Sequence, residues 1–254
     1  MSRECQILRV FTRDGLGGNH LGVVTDPSGL TSEMMQAIAV ENGFSETIFC
    51  DLSGEIPIAR IFTPGAELPF AGHPLVGLGW LLNDTVPDGV DRIRYEAGEA
   101  QVSSEAGLTW IQVSGDQPVE PIDPPLLGGE VAVSVSMPIP YSVIRLSSPR
   151  QVADMVTPPI SFGEVYVWAW EDPGQVVKAR FFAGEVGVAE DPATGSAAVA
   201  LAAHLRRSGQ VEGRLIIHQG DEIGHPSTIR LRWDQAFSSI GGTVVRDEVR
   251  RLEL

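Results

Sequence analysis

The feature that most constrains this chain is that it repeats itself. Arg60-Ile61-Phe62 leads to Glu67-Leu68-Pro69-Phe70-Ala71-Gly72-His73, and Arg180-Phe181-Phe182 leads to Glu190-Asp191-Pro192-Ala193-Thr194-Gly195-Ser196. The shared frame is R-x-F followed by E-x-P-x-x-G, and its two glutamates lie 190 − 67 = 123 residues apart in a chain of 254. An apolar, small-residue run follows each copy, Pro74 to Leu82 and Ala197 to Leu205. Self-similarity at half the chain length predicts two similar structural units, each of roughly 120 residues and so of ordinary domain size.

Between the copies, Ser114 to Gly129 contains Pro118, Pro121, Pro124 and Pro125 and ends in Gly128-Gly129. Proline removes amide donors and fixes φ, so this stretch is expected to be extended and to mark the boundary. The lobes are then 1–116 and 117–254, with the last strand free to return to the first lobe. Gln6 to Thr12, Ile56 to Thr63, Val131 to Val135, Val165 to Trp170 and Leu215 to His218 are short and rich in β-branched and aromatic residues, as strands are. His73 to Asn83 reads as a helix with Pro74 at its first position. The second apolar run reads as a helix capped by Ser196 and ended by Arg206, Arg207 and Gly209. Both are apolar on nearly all sides, which marks buried helices. The expected fold class is α+β: two pseudo-symmetric lobes, each a curved, mostly antiparallel sheet wrapped around one central helix.

Charge narrows the partners. With 18 Lys and Arg against 33 Asp and Glu the net charge is −15, which repels nucleic acid and anionic membrane surfaces. No stretch offers the ~20 apolar residues of a membrane span, and Arg3, Glu4 and Arg9 stand where a signal peptide needs an apolar run. The expected location is the cytoplasm. Cys5 and Cys50 lack metal or redox spacing and sit in strand-like surroundings, so buried, inert thiols are expected.

A helix N-terminus carries free N–H groups and partial positive charge, and so can hold an anion. If the lobes face each other, Gly72-His73 and Gly195-Ser196 bring two such termini to one cleft, where a substrate carboxylate is held without an arginine. A valine at either glycine is expected to block that site and leave the fold intact. Glu46, in Phe44-Ser45-Glu46-Thr47-Ile48-Phe49, shares a strand face with Phe44 and Ile48 by alternation. There a carboxylate is either an edge glutamate reaching solvent or a desolvated acid/base with a raised pKa. Asp191 is either a turn former before Pro192 or a group that orients His73 or binds a substrate amino or hydroxyl group. Gly15-Leu16-Gly17-Gly18-Asn19-His20 lacks the last glycine of a dinucleotide loop, and the five histidines show no metal-ligand spacing. No cofactor and no metal are expected. There is no G-x-S-x-G elbow.

Taken together, Phe11, Gly18-Asn19, Ser45-Glu46-Thr47-x-Phe49, Phe62-Thr63-Pro64, Glu67 to Pro74 and Glu190 to Ala197 resemble the PhzF-like phenazine biosynthesis family, which has the two-lobed diaminopimelate-epimerase-like fold. The resemblance implies that Glu46 is the acid/base, that His73, Asp191 and Ser196 line the cleft, and that the loop holding Asn19 borders it. It also implies a homodimer and a cofactor-free proton shift like the isomerisation of trans-2,3-dihydro-3-hydroxyanthranilate. Relatives that epimerise amino acids place a cysteine at each helix N-terminus, where this chain has His73 and Ser196. The family's usual Gly-Asn-Pro is Gly18-Asn19-His20 here. The reading is a cofactor-independent isomerase of a small carboxylate, with catalytic Glu46, His73 and Asp191 and substrate-binding Gly72, Gly195, Ser196 and Asn19. The alternatives are an epimerase that opposes Glu46 with His73, or a non-catalytic ligand-binding protein.

Overall fold

The computed structural model describes residues 3–123, 129–158, 163–184 and 188–252. Pro124, Pro125 and Gly128 of the expected boundary lie outside the described residues. One lobe is built from β1 (Arg3–Val10), β2 (Asn19–Val24), α1 (Ser32–Asn42), β3 (Glu46–Asp51), β4 (Ile58–Phe62), β5 (Glu67–Leu68), α2 (Gly72–Thr85), β6 (Arg92–Tyr95), β7 (Gly98–Glu105) and β8 (Leu108–Ser114). After β9 (Val119–Pro121), the same order recurs: β10 (Val131–Val135), β11 (Tyr141–Arg145), α3 (Pro149–Ala153), β12 (Glu164–Asp172), β13 (Val176–Ala183), β14 (Val188–Asp191), α4 (Gly195–Arg207), β15 (Gly213–Gln219), β16 (Ser227–Trp233) and β17 (Phe237–Gly242). The chain closes with β18 (Val244–Leu252).

Strand pairing repeats with the order. The β2–β3 and β4–β6 pairs are parallel, and so are their counterparts β11–β12 and β13–β15. The β3–β4 and β12–β13 hairpins are antiparallel, as are β7–β8 and β16–β17. The lobes are joined through β8 and β17, which pair antiparallel. They also exchange strands: β9, which follows the first lobe, pairs with β10, and β18 pairs with β1. Each lobe's first strand thus takes its outer neighbour from the end of the other, which protects both edges.

Each sheet wraps one apolar helix. In α4 every residue from Gly195 to Leu205 is buried, and in α2 every residue from Gly72 to Gly79 is. Such helices have no solvent face, so their stability comes from packing rather than amphipathicity. The starts differ from the sequence expectation. Helix α2 begins at Gly72, so Pro74 is its third residue, still within the first turn where no N–H has an intrahelical partner. Helix α4 is preceded by Thr194, with no side-chain cap, and Ser196 is its second residue. Ser196 turns its hydroxyl to Tyr141 instead, 2.9 Å away. The far end is as expected, with Gly209 in the left-handed region at φ +93°.

A second layer covers the outside of each sheet. Helix α1 packs on Cys5, Ile7, Val24, Phe49 and Phe62, and α3 on Ile144, Val165, Val167 and Phe182. Thr31 and Ser148 cap them, each accepting from a backbone N–H at 3.3 Å. Sequence analysis does not single out α1, where apolar Ala37 and Val40 fall on the exposed side and blur the helical pattern. Cys5 and Cys50 are buried and free, and burial raises their thiols to about 11 and about 12.

Candidate active site

The conserved geometry of the two frames explains why they recur along the chain. Arg60 grips Glu67 through two N–H···O bonds of 2.7 and 2.6 Å, and Arg180 grips Glu190 at 2.8 and 2.6 Å. Planar, bidentate pairing of this kind fixes orientation as well as distance. It clamps β5 to β4 and β14 to β13, and so aims the loop that enters each central helix. The two helices meet at their first residues. A Cβ on Gly72 would lie 2.7 Å from the Gly195 carbonyl carbon, and one on Gly195 would lie 3.0 Å from Gly72 Cα. Only glycine permits that approach. A valine at either place strikes the other helix's backbone, so the expectation of an intact fold in those variants is corrected.

Beside this junction lies a cavity of about 30 Å³, lined by Glu46, Tyr141, Glu164, Asp191, Thr194 and Ser196 among apolar side chains. Larger concavities elsewhere, up to about 990 Å³ around Arg214, Arg230 and Arg232, are open troughs on the outer sheet face. The small cavity gathers the buried ionisable groups, and chemistry depends on those rather than on volume.

Glu46 opens β3, with its side chain 12% exposed and its Oε2 3.4 Å from His73 Nδ1. Its neighbour Ile48 faces the main core, whereas Phe44 lies before the strand and stacks on His20 with ring centres 5.3 Å apart. The expected sharing of a face with Phe44 therefore fails; Ile48 alone shares it. Burial, and after it the negative charge of Asp191, holds the Glu46 carboxyl well above the usual carboxylate range. His73, 2% exposed, is shifted the other way: burial pushes its ring below the ordinary imidazole value, against the opposing pull of Asp191. Both groups favour their neutral forms, so the contact is not a buried ion pair, and Glu46 Oε2 makes no direct hydrogen bond.

Asn19, 1% exposed, ties the lobes together. Its side-chain N–H groups reach Asp191 Oδ1 at 2.7 Å, the Ala193 carbonyl at 3.3 Å and His73 Nδ1 at 3.3 Å, while its carbonyl accepts from Ser45 Oγ at 3.0 Å. These partners fix which end of the amide is which. Asp191 Oδ2 accepts from Thr194 Oγ1 at 2.5 Å, and Gln219 Nε2 donates to the Asp191 carbonyl at 2.8 Å and to Thr194 Oγ1 at 3.0 Å. Asp191 is therefore hydrogen-bonded to His73 only through Asn19, while its charge acts on the ring across space.

The structure brings together all seven residues that the sequence singles out. Glu46, Asp191 and Ser196 line the cavity; His73 and Asn19 stand behind Glu46 and Asp191, and Gly72 and Gly195 form the helix junction. His20 lies on a different cluster, between Phe44 and His225. Sequence analysis does not single out Tyr141, Glu164, Thr194 or Gln219. Glu164 was within reach, since Glu164-Val165-Tyr166-Val167 follows the strand pattern of Glu46-Thr47-Ile48-Phe49. Among the described residues no group of His, Cys, Asp and Glu could hold a metal ion, and no helix is long and apolar enough to cross a membrane.

The sequence matches the PhzC-PhzF family, described as phenazine biosynthesis-like protein, over residues 8–123 and 147–246. The chain belongs to that family. It is 34% identical, over 89% of its length and 88% of the relative's, to the trans-2,3-dihydro-3-hydroxyanthranilate isomerase of Pseudomonas chlororaphis. It is 31% identical to an uncharacterised isomerase of Pasteurella multocida, over 94% and 90% of the two chains. The crystal structure of a PhzF-family phenazine biosynthesis protein from Enterococcus faecalis superposes with a TM-score of 0.82, covering all of both chains at 22% identity. This PhzF-family protein is thus an isomerase with the two-lobed, α+β, diaminopimelate-epimerase-like fold. Between its two matched stretches the family match leaves out 124–146, which includes β10 and β11 of the second lobe.

Proposed function

We propose that this PhzF-family isomerase moves a proton between two carbons of a small, conjugated carboxylate, as in trans-2,3-dihydro-3-hydroxyanthranilate isomerisation, without a cofactor. The observation that carries the reading is Glu46: a carboxyl lining the small cavity, unsatisfied at Oε2 by any direct hydrogen bond, and held above its usual range by burial. The free N–H groups at the starts of α2 and α4 hold the substrate carboxylate. Ionised Glu46 takes a proton from one carbon, breaking the C–H bond. The electron pair passes into the conjugated system, and the carboxylate oxygens carry the charge beside the helix ends. Preorganised dipoles of this kind lower the barrier because they need no rearrangement as charge develops. Glu46 then returns the proton to a second carbon, and atoms and charge balance.

His73 and Asn19 position Glu46, and Asp191 positions Asn19. A cavity of about 30 Å³ has the volume of one water molecule, so substrate enters as the lobes part and is shielded from water when they close. The opposed-base epimerase reading loses ground here. Glu46 and His73 lie 3.4 Å apart on one side of the cavity and cannot approach a stereocentre from two faces.

Glu46→Gln keeps the shape of the side chain but cannot accept a proton. Turnover of trans-2,3-dihydro-3-hydroxyanthranilate is expected to fall by about 10²–10⁴-fold with binding retained. In ²H₂O the wild type is expected to place label at the carbon that receives the proton. Full activity of the Gln variant, or turnover of that substrate unaffected by the change, rejects Glu46 as the base. Substrate that binds with neither turnover nor label exchange rejects the isomerase chemistry and leaves a binding protein.

A further inference from the structure

The two central helices differ at their second residue. In α2 it is His73, whose ring meets Asn19 Nδ2 at 3.3 Å. In α4 it is Ser196, whose Oγ lies 2.9 Å from the Tyr141 hydroxyl. Leu21 and Tyr141 hold matching places in the two lobes, since across a parallel ladder Leu21 faces Glu46 and Tyr141 faces Glu164. A leucine offers nothing to a polar neighbour, so only the second lobe can direct a hydroxyl at its helix start from this strand position.

Tyr141 is held firmly enough to set a direction. It opens β11, pairs with Val135 on one side and Glu164 on the other, and packs its buried ring edge-on to Phe181 with centres 5.0 Å apart. Such contacts leave an aromatic ring little freedom. Burial, with the negative charges of Glu164, Glu46 and Asp191 adding to it, outweighs the Ser196 bond and holds the phenol above its usual range. The phenol therefore keeps its proton. It is also a stronger acid than an aliphatic alcohol, so in this pair Tyr141 donates and Ser196 Oγ accepts. Ser196 then has its own hydrogen to give, and among the described residues its hydroxyl makes no other hydrogen bond. The residue is buried and lines the cavity in the first turn of α4.

We propose that Tyr141 is a positioning residue: by donating to Ser196 Oγ it turns the Ser196 hydroxyl hydrogen into the cavity, where that hydrogen bonds the substrate carboxylate. Tyr141 itself does not touch the carboxylate. It fixes in advance a donor that would otherwise rotate, and a donor already aimed needs no rearrangement when charge arrives. This rests on the carboxylate-binding role given above to the helix starts, and it adds one side-chain donor to their N–H groups.

The test is a double-mutant cycle on the intact chain, read as calorimetric affinity for cyclohexanecarboxylate in the wild type, Tyr141→Phe, Ser196→Ala and the double variant. Loss of a hydrogen bond to a charged group is expected to weaken binding by about tenfold or more in Ser196→Ala, and loss of its orientation by about three- to tenfold in Tyr141→Phe. The double variant is expected to match Ser196→Ala to within about twofold, because without the serine hydroxyl there is nothing left for Tyr141 to orient. A merely structural tyrosine would weaken binding by the same factor in both backgrounds, and that result overturns the proposal. The bound ligand supplies a second readout through its carboxyl ¹³C resonance, which is expected to move in the same direction in Tyr141→Phe as in Ser196→Ala. This signal decides the matter if the double variant does not fold, and a resonance unchanged in Tyr141→Phe counts against the proposal. Failure of the wild type to bind the probe, or full affinity in Ser196→Ala, removes the carboxylate contact at the start of α4 and the proposal with it. Weakened binding in Ser196→Ala with multiplying effects in the cycle removes only the role of Tyr141.

Discussion

Arg60 and Arg180 hold the same place in the two lobes and grip their glutamates with the same two bonds, yet their settings differ. The Arg60 and Glu67 side chains are 36% and 30% exposed, while those of Arg180 and Glu190 are 8% and 9% exposed. Arg60 sends its remaining reach to Ser32 Oγ at 2.9 Å, at the start of α1. Arg180 sends its own to the carbonyls of Val152, Ala153 and Met155, at 3.3, 3.1 and 2.7 Å, and so closes the end of the one-turn helix α3. One repeated motif therefore gives a solvent-screened clamp in one lobe and a buried structural hub in the other. The chemistry divides unevenly too. The first lobe supplies Asn19, Glu46 and His73, and the second supplies Tyr141, Glu164, Asp191 and Ser196. Duplication sets the frame, and each lobe's residues fill it differently.

The comparison is broken most directly at the arginines. Arg180→Ala leaves Glu190 buried without its cation and three carbonyls without a donor, and is expected to cost about 3–5 kcal/mol. Arg60→Ala, at the half-exposed copy, is expected to cost only about 0–1 kcal/mol. Denaturant midpoints of the two variants measure the difference, and equal losses would show that burial does not separate the copies.

The helix junction gives a smaller contrast. A Cβ on Gly72 would sit 2.7 and 2.8 Å from Gly195 backbone atoms, whereas one on Gly195 meets Gly72 at 3.0 and 3.1 Å. Overpacking against backbone typically costs about 1–3 kcal/mol. Gly72→Ala is expected at the upper end and Gly195→Ala at the lower, both by thermal unfolding. Each is also expected to lower affinity for cyclohexanecarboxylate, because the helix starts are pushed apart.

The smallest effect is the pH dependence that Glu46 contributes. The Glu46 carboxyl has a raised pKa in the folded protein, so the folded state favours its protonated form. The stability this contributes is fully present below the unfolded value of 4.5 and is lost as pH rises through the folded value. Glu46→Gln is therefore expected to become more stable relative to wild type as pH increases through that window, while losing turnover. The acidic limb of wild-type kcat/KM is expected above the ordinary carboxylate range, because ionised Glu46 is the base. A stability difference that stays flat with pH would show that Glu46 keeps an ordinary pKa.

Much of the site was legible because the chain states its frame twice. Two E-x-P-x-x-G copies locate two helix starts, and a carboxylate beside Ile48 on an alternating strand announces Glu46. Thr194 and Gln219 carried no such mark. Their work is hydrogen bonding to Asp191, and Gln219 belongs to β15, beyond the whole of α4. Ser196 looked like a cap because serine favours that role, but Tyr141 competes for its hydroxyl from another strand.

What the sequence by itself determined is the doubling: two lobes, two apolar helices, and the residue types at each helix start. Those follow from local patterning and from proline and glycine, whose preferences act over a few residues. Only the tertiary structure decided that the helices touch at Gly72 and Gly195, that Asn19 reaches across to Asp191, and that Glu164 shares a cavity with Glu46. These depend on strand pairings between residues more than a hundred positions apart, such as β1 with β18 and β8 with β17. The physical reason is desolvation. A carboxyl acquires a shifted pKa from what surrounds it in three dimensions, and the lobes enclose Glu46 only when both have folded against each other.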